Sequence, residues 1–273
     1  MLAGIQLLVY FQLVAADGSV LSWPDLTLII LITIVAGAGG YIINDYYDHA
    51  IDRINKPDKQ IAGNFLSLEK VRNIYLAFVL TGFCLSIWTA FRLDLLAYLF
   101  IYPFAVTGLW LYSYTLKCRP IIGNLWVSLF CAGVVGVVAL PDILLNEGYV
   151  FRVELWYYLA FAFLSTWLRE VIKDIEDVEG DAKANCQTAV VYFGRTVGRW
   201  MVLVLGLLLI GALYLWDNQL TNHWAKLMLT VLQGFTVGAM AFVWWAKNKS
   251  YYHHASTVMK FIMIGGTLIL LML

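Results

Sequence analysis

The chain has 273 residues, of which 62% are hydrophobic and 13% charged, about half the charged share of an ordinary soluble domain. Mean hydropathy is +0.76, and 18 Lys and Arg balance 18 Asp and Glu. This composition excludes a disordered chain, a fibrous repeat and a water-soluble globular domain, and the charge balance leaves no basic excess for nucleic acid. A membrane-crossing helix needs roughly 20 mostly apolar residues. Nine apolar runs approach or meet that length, near 2–16, 24–43, 71–91, 95–115, 121–141, 153–171, 198–216, 224–245 and 256–273. They use nearly the whole chain, so the expected fold is all-α: one polytopic domain over 1–273, with nine transmembrane helices and no soluble module. The first run starts at Met1 without a basic flank, which disfavours a signal peptide. The four cysteines, Cys84, Cys118, Cys131 and Cys186, form no CxxC pair, so neither a disulfide framework nor a zinc site is expected.

The basic residues give the orientation. Arg53, Lys56, Lys59, Lys70, Arg72, Lys117, Arg119, Arg169, Lys173, Lys183, Arg195, Arg199, Lys247, Lys249 and Lys260 fall on the side that follows the second, fourth, sixth and eighth runs. Only Arg92, Arg152 and Lys226 fall on the other. By the positive-inside rule the first side is cytoplasmic, with the N-terminus inside and the C-terminus outside.

Two acidic clusters share that side. Asp45, Asp48 and Asp52 follow the second run, and Asp174, Asp177 and Asp181 follow the sixth. Both read D-x-x-D-x-x-x-D, at a constant offset of 129 residues, which points to an internal repeat with one acidic helix end per half. On a helix, positions i, i+3 and i+7 share a face, so each cluster stacks three carboxylates on one stripe. Like charges this close repel, and at a membrane boundary screening is weak. A divalent cation or full solvation relieves the repulsion. Carboxylate oxygens without His or Cys suit a hard ion such as Mg²⁺, which shares its shell readily with phosphate. Two facing stripes would grip a diphosphate through metal ions. Glu176 and Glu179 sit off the second stripe and read as solvated-face residues.

Neighbouring groups fit the same chemistry, each with a plainer alternative. Asn44 reads as a metal or phosphate contact or as a helix-end hydrogen bond. Lys117, in the connection after the fourth run, reads as a neutraliser of a leaving diphosphate; with Arg119 it also reads as a marker of the cytoplasmic side. Arg53 and Lys173 read as diphosphate contacts or as partners of a nearby Asp. Asn124 reads as facing the polar cavity or as capping the fifth helix. Tyr46 and Tyr47 read as cavity lining or as part of an interfacial aromatic belt. Arg169 and Glu170 are expected to pair with each other, and His49 to lie on the helix flank.

With Asn44-Asp-Tyr-Tyr-Asp48 and Asp52 after the second run, Tyr112-Ser-Tyr-Thr-Leu-Lys117 after the fourth, and the Asp174, Asp177, Asp181 set after the sixth, the whole chain resembles the UbiA superfamily of intramembrane prenyltransferases. The runs through Asp58 and from Arg169 to Asp181 most resemble its digeranylgeranylglyceryl phosphate synthase branch. The resemblance implies a helical barrel open sideways to lipid. It implies that Asn44, Asp45, Asp48 and Asp52 with Asp174, Asp177 and Asp181 hold Mg²⁺ and a polyprenyl diphosphate, and that Lys117 contacts the diphosphate. Three departures stand out: the first run has no R-P-x-N-like segment, His49 stands where Arg is common, and Lys59-Gln60-Ile61 replaces a basic-Pro-Ile step.

The expected activity is prenyl transfer from the diphosphate to a lipophilic acceptor, geranylgeranylglyceryl phosphate on this resemblance. An aromatic acceptor of the quinone or chlorophyll type is the alternative within the class. A cation transporter using acidic residues at a repeat interface is the rival from another class; the carboxylates' position at helix ends rather than mid-bilayer speaks against it.

Overall fold

The computed structural model describes residues 2–15, 18–55, 60–148, 150 and 152–273. Among the described residues each of the nine apolar runs is mainly helical, the fourth starting at Tyr98 and the fifth interrupted after Gly136. The elements are α1 (Leu2–Val9, continued by a π turn over Tyr10–Val14), α2 (Trp23–Asn55), α3 (Leu68–Arg92), α4 (Tyr98–Tyr114), α5 (Ile122–Gly136), α6 (Leu140–Leu145), α7 (Val153–Lys183), α8 (Ala189–Phe193), α9 (Arg195–Asp217), α10 (His223–Trp244) and α11 (Lys249–Ile269). No strand occurs among the described residues.

Five helices are long and apolar enough to cross a bilayer by length and composition: Trp23–Ala50 of α2, then α3, α9, α10, and α11 with its 3₁₀ extension. The other runs fall short for visible reasons. α4 and α5 have 17 and 15 residues. The fifth run breaks at Gly136, and Pro141 then starts the separate short helix α6, as proline does at a helix's first positions. α7 has 31 residues, but its last third is charged. α11 begins earlier than its apolar run, at Lys249, because Asn248 caps it by accepting from the Ser250 N–H.

Packing follows chain order. α2 packs on α3 and α4, α5 on α7, α7 on α9 and α11, and α9 on α10, which packs on α11. α1 touches α2, α5 and the end of the chain, joining the first helices to the last. Close approach needs small residues: a Cβ on Gly266 of α11 would lie 2.1 Å from the Phe161 ring of α7. The bundle exterior is apolar, with Phe100 and Phe104 of α4, Leu207 and Leu208 of α9, and Phe261 of α11 all exposed. Such a surface is unstable in water and natural in lipid. Exposed tryptophans gather at helix ends. Trp23, Trp88, Trp156 and Trp224 lie at the end away from the acidic motifs, and Trp200, Trp244 and Trp245 at the end near them. This is the interfacial pattern of a membrane protein.

Candidate active site

Helices α2 and α7 run past their apolar segments without a break, so both acidic motifs lie on helix rather than on loop. The i, i+3, i+7 spacing therefore lines up Asp45, Asp48 and Asp52 on one element and Asp174, Asp177 and Asp181 on the other.

The connection from α4 to α5 joins the two stripes. Thr115 leaves the helix at φ −145°, and Leu116–Cys118 forms one 3₁₀ turn. Ile121 then sits at φ 65°, with the Ile122 N–H donating to the Pro120 carbonyl at 2.7 Å. A β-branched residue in that region is strained, and surrounding structure must hold it there. Gly123 follows at a close approach. A Cβ there would lie 2.7 Å from the Leu116 carbonyl oxygen and 2.9 Å from the Lys117 Cα. Only glycine lets α5 start against the backbone that carries Lys117.

Three links leave this segment. Lys117 Nζ forms an ion pair with Asp48 on α2, both side chains mostly buried. Asn124 Nδ2 donates to Asp174 Oδ2 on α7 at 2.9 Å, from a buried position. Cys118 forms a disulfide with Cys186, just beyond α7. Asn44 completes the α2 side by donating to Asp48 at 2.7 Å. Lys117, Asn124 and Asn44 thus all meet the acidic motifs. Asn124 reaches Asp174 rather than capping α5, and the bond from Asn44 stays within its own helix.

The electrostatics reflect this convergence. Asp174 and Asp181 lie beyond the apolar part of α7. Asp174 is pushed up to about 8, chiefly by burial, with the Asn124 hydrogen bond opposing and the charges of Glu170 and Asp181 adding. Asp181 is pushed up to about 6, again first by burial and then by Asp177. The Asp48 and Lys117 charges also act on Asp181, so the two motifs share one field. Desolvation and like charge both disfavour ionisation, which is the state that a cation would relieve.

Other groups lie as follows. Arg169 pairs with Glu170 at 2.7 Å, as its sequence position suggests, and Lys173 approaches Glu170 at 3.9 Å. Arg53 is exposed near the end of α2. His49 bonds through Nδ1 to the Tyr46 carbonyl at 2.8 Å, on the helix flank. Gln60 donates to the His49 and Ala62 carbonyls at 2.8 and 2.9 Å, which ties the following loop back to α2. Tyr47 accepts from Trp110 Nε1 at 3.1 Å and joins the Trp110 and Tyr114 rings of α4, of which Tyr114 is exposed. Lys56, Asp58 and Lys59 lie outside the described residues.

Two expectations are corrected. Glu176 is not solvated: its side chain is largely buried and meets His253 Nδ1 at 3.1 Å. Glu179 is exposed as expected and pairs with Arg195. The cysteines are not all free thiols, because the fold brings Cys118 and Cys186 together across 68 residues of sequence. Cys84 and Cys131 remain free. Sequence reading also missed α11 as a contributor: Lys249 Nζ reaches Asp177 at 3.3 Å, beside His253. The available signal was Asn248, a favoured N-cap residue ahead of the apolar run.

Among the described residues, no three His, Cys, Asp or Glu side chains form a preformed metal cage. An all-carboxylate set without His or Cys suits Mg²⁺, which keeps several waters and takes substrate phosphate oxygens, better than a metal needing a closed protein shell.

The chain matches the UbiA prenyltransferase family over residues 5–265. It is 36% identical to the digeranylgeranylglyceryl phosphate synthase of Methanobrevibacter smithii over 174 residues, 62% of this chain and 59% of that protein. It is 34% identical to the enzyme of that name from Thermococcus gammatolerans, over 73% of this chain and 68% of that one. The chain thus spans about three fifths of the first of these relatives. Among solved structures, a digeranylgeranylglyceryl phosphate synthase aligns with TM-score 0.73 at 21% identity, covering 98% of this chain and 91% of that one. A UbiA homologue from Archaeoglobus fulgidus, bound to DMAPP and Mg²⁺, aligns with TM-score 0.63 at 16% identity, covering 100% and 95%.

Proposed function

The chain belongs to the UbiA prenyltransferase family, and from that premise we propose that it transfers a geranylgeranyl group from its diphosphate to geranylgeranylglyceryl phosphate, in Mg²⁺-dependent ether-lipid synthesis. It does so as a single domain with nine membrane crossings. The acidic end faces the cytoplasm of the cell membrane, in keeping with the distribution of Lys and Arg. The relatives named digeranylgeranylglyceryl phosphate synthase support the substrate pair. The carrying observation is the 117–124 segment, which joins the α2 motif through Lys117 and the α7 motif through Asn124.

The residues then divide the work. Asn44, Asp45, Asp48, Asp52, Asp174, Asp177 and Asp181 would hold Mg²⁺. When bound, the ion neutralises charge on the diphosphate leaving group. Lys117 would add a fixed positive charge on the same group, and Lys173, whose charge acts on Asp174 and Asp181, and Arg53, next to Asp52, would contact the substrate. Asn124 orients Asp174. Along α2, one to two turns from Asp45, Gly39 and Gly40 face Tyr75, Val106 and Leu109 in a closed seam, which would have to part for a prenyl tail to lie there. The rings of Tyr47, Trp110 and Tyr114 stand together beside the acidic end of α2, where they would help to keep water from an allylic carbon.

Purified protein with geranylgeranyl diphosphate, Mg²⁺ and a panel of glycerol-phosphate and aromatic acceptors, analysed by mass spectrometry, tests this reading. The ether-linked product is expected, and it should fall at least a hundredfold in Asp48→Ala and Asp177→Ala, the order seen when charge stabilisation of a leaving group is lost. An aromatic product would move the reading to the quinone or chlorophyll type. Full activity in both variants would overturn the site assignment.

A further inference from the structure

We infer that the Cys118–Cys186 disulfide is a positioning element for the diphosphate site, so that its redox state sets how tightly the diphosphate is held. The inference rests on the function proposed above and adds two residues to it.

Both ends of the disulfide are built into the site. α7 ends in a Schellman motif: Asn185 is left-handed at φ 57°, its N–H donates to the Ala182 carbonyl at 3.2 Å, and the Cys186 N–H donates to the Asp181 carbonyl at 2.9 Å. Cys186 is buried and bonded through its backbone to the last aspartate of the second motif. Cys118 directly follows Lys117 in the 3₁₀ turn and donates its own N–H to Thr115 at 3.3 Å. The cysteine Cα atoms are 4.6 Å apart. The covalent link therefore runs from the residue after Lys117 to a residue hydrogen-bonded to Asp181.

The 115–123 segment needs such a tie. It has no regular hydrogen-bonded partner element, and it holds Ile121 at a positive φ. Its backbone hydrogen bonds, Cys118 N–H to Thr115, Arg119 N–H to Leu116 and Gly123 N–H to Arg119, are all local, so none of them fixes Lys117 relative to α7. The disulfide fixes the backbone under Lys117 relative to α7, while the Lys117–Asp48 ion pair fixes its head relative to α2. The basic residues put this end on the cytoplasmic side, where thiol reductants keep most disulfides open. There Cys118, the partly exposed half of the link, is the sulfur open to attack, since Cys186 is buried.

The chemistry balances with a small-molecule disulfide as oxidant. One protein thiolate attacks it and releases one small thiol. The second protein thiolate then displaces the other, giving the Cys118–Cys186 bond and two reduced thiols. A dithiol reductant runs the sequence backwards.

The test measures binding of inorganic pyrophosphate with Mg²⁺ to the whole protein in detergent, oxidised with glutathione disulfide or reduced with a dithiol. Maleimide labelling under denaturation should give two thiols, Cys84 and Cys131, in the oxidised form and four in the reduced. Reduction is expected to weaken pyrophosphate by about tenfold, the size of one misplaced charge-assisted contact, and reoxidation to restore it. The KM for geranylgeranyl diphosphate should move with it. The Cys118→Ser, Cys186→Ser double variant should match the reduced protein and ignore reductant. Lys117→Met should bind weakly in either redox state, a dependence that a merely stabilising link would not produce. Equal pyrophosphate affinity in both redox states overturns the inference alone, even if the melting temperature changes. Four labelled thiols after oxidation overturn it too. No pyrophosphate binding in either state overturns it together with the proposed function.

Discussion

Asp174 and Asp181 carry the sharpest electrostatic prediction. Their folded values lie near 8 and 6, raised above an ordinary 3.8. A carboxyl whose folded pKa is raised favours the folded state in its protonated form. That contribution is complete below about pH 4 and is lost as pH climbs, through about 6 for Asp181 and about 8 for Asp174. Metal-free protein should therefore melt at progressively lower temperature from pH 4 to pH 8. A cation binds the ionised form, so the stabilisation added by Mg²⁺ should grow across pH 6–8. Melting curves in chelator and in Mg²⁺ across that range check both slopes, and a metal-free melting temperature that rises with pH would contradict them.

On the proposed function, helix-level features would set which prenyl donors fit. A Cβ on Gly39 of α2 would meet Phe78 and Tyr75 at ordinary contact distance, 3.8 and 3.9 Å, so alanine is accommodated there. A longer side chain at that position crowds the seam between α2 and α3. Gly39→Leu should lower kcat/KM for geranylgeranyl diphosphate at least tenfold while sparing dimethylallyl diphosphate, and competition assays with the two donors measure that ratio. Gly123→Ala should displace Lys117 and weaken pyrophosphate, because the new methyl group meets backbone.

Much of this was legible in the sequence, for physical reasons. Helical spacing alone put Asp45, Asp48 and Asp52 on one stripe, and the repeat offset supplied the second. Asn124 and Lys117 stood out as polar residues beside apolar runs. What stayed hidden depended on tertiary closure. Cys118 meets Cys186 across 68 residues, and Lys249 meets Asp177 across 72. No local period encodes such pairs. Charge alone also misled at Glu176, which finds a histidine on α11.

For the whole molecule, the bundle separates its chemistry from its anchoring. The acidic motifs, the 117–124 segment and the start of α11 gather at one end. The opposite end is held by contacts far from the acidic motifs, such as the Arg92–Asp25 ion pair between α3 and α2 and the Arg152 bond to the Gln12 carbonyl at 2.9 Å. Arg92→Ala should cost at most about 1 kcal/mol, since Arg92 is 41% exposed, and leave pyrophosphate affinity unchanged. Gly266→Ala should cost about 1–3 kcal/mol by overpacking Phe161, again without touching the site. Chemical denaturation in detergent, paired with pyrophosphate binding, separates these two outcomes.

The most direct measurement is a double-mutant cycle on Mg²⁺-dependent pyrophosphate binding, comparing wild type, Asp48→Ala, Asp177→Ala and the double variant by calorimetry. If carboxylates from α2 and α7 grip one ligand, each single change abolishes most of the binding and the double change adds little. Fully additive losses, or one variant binding as wild type does, would mean that the two helices do not share a diphosphate.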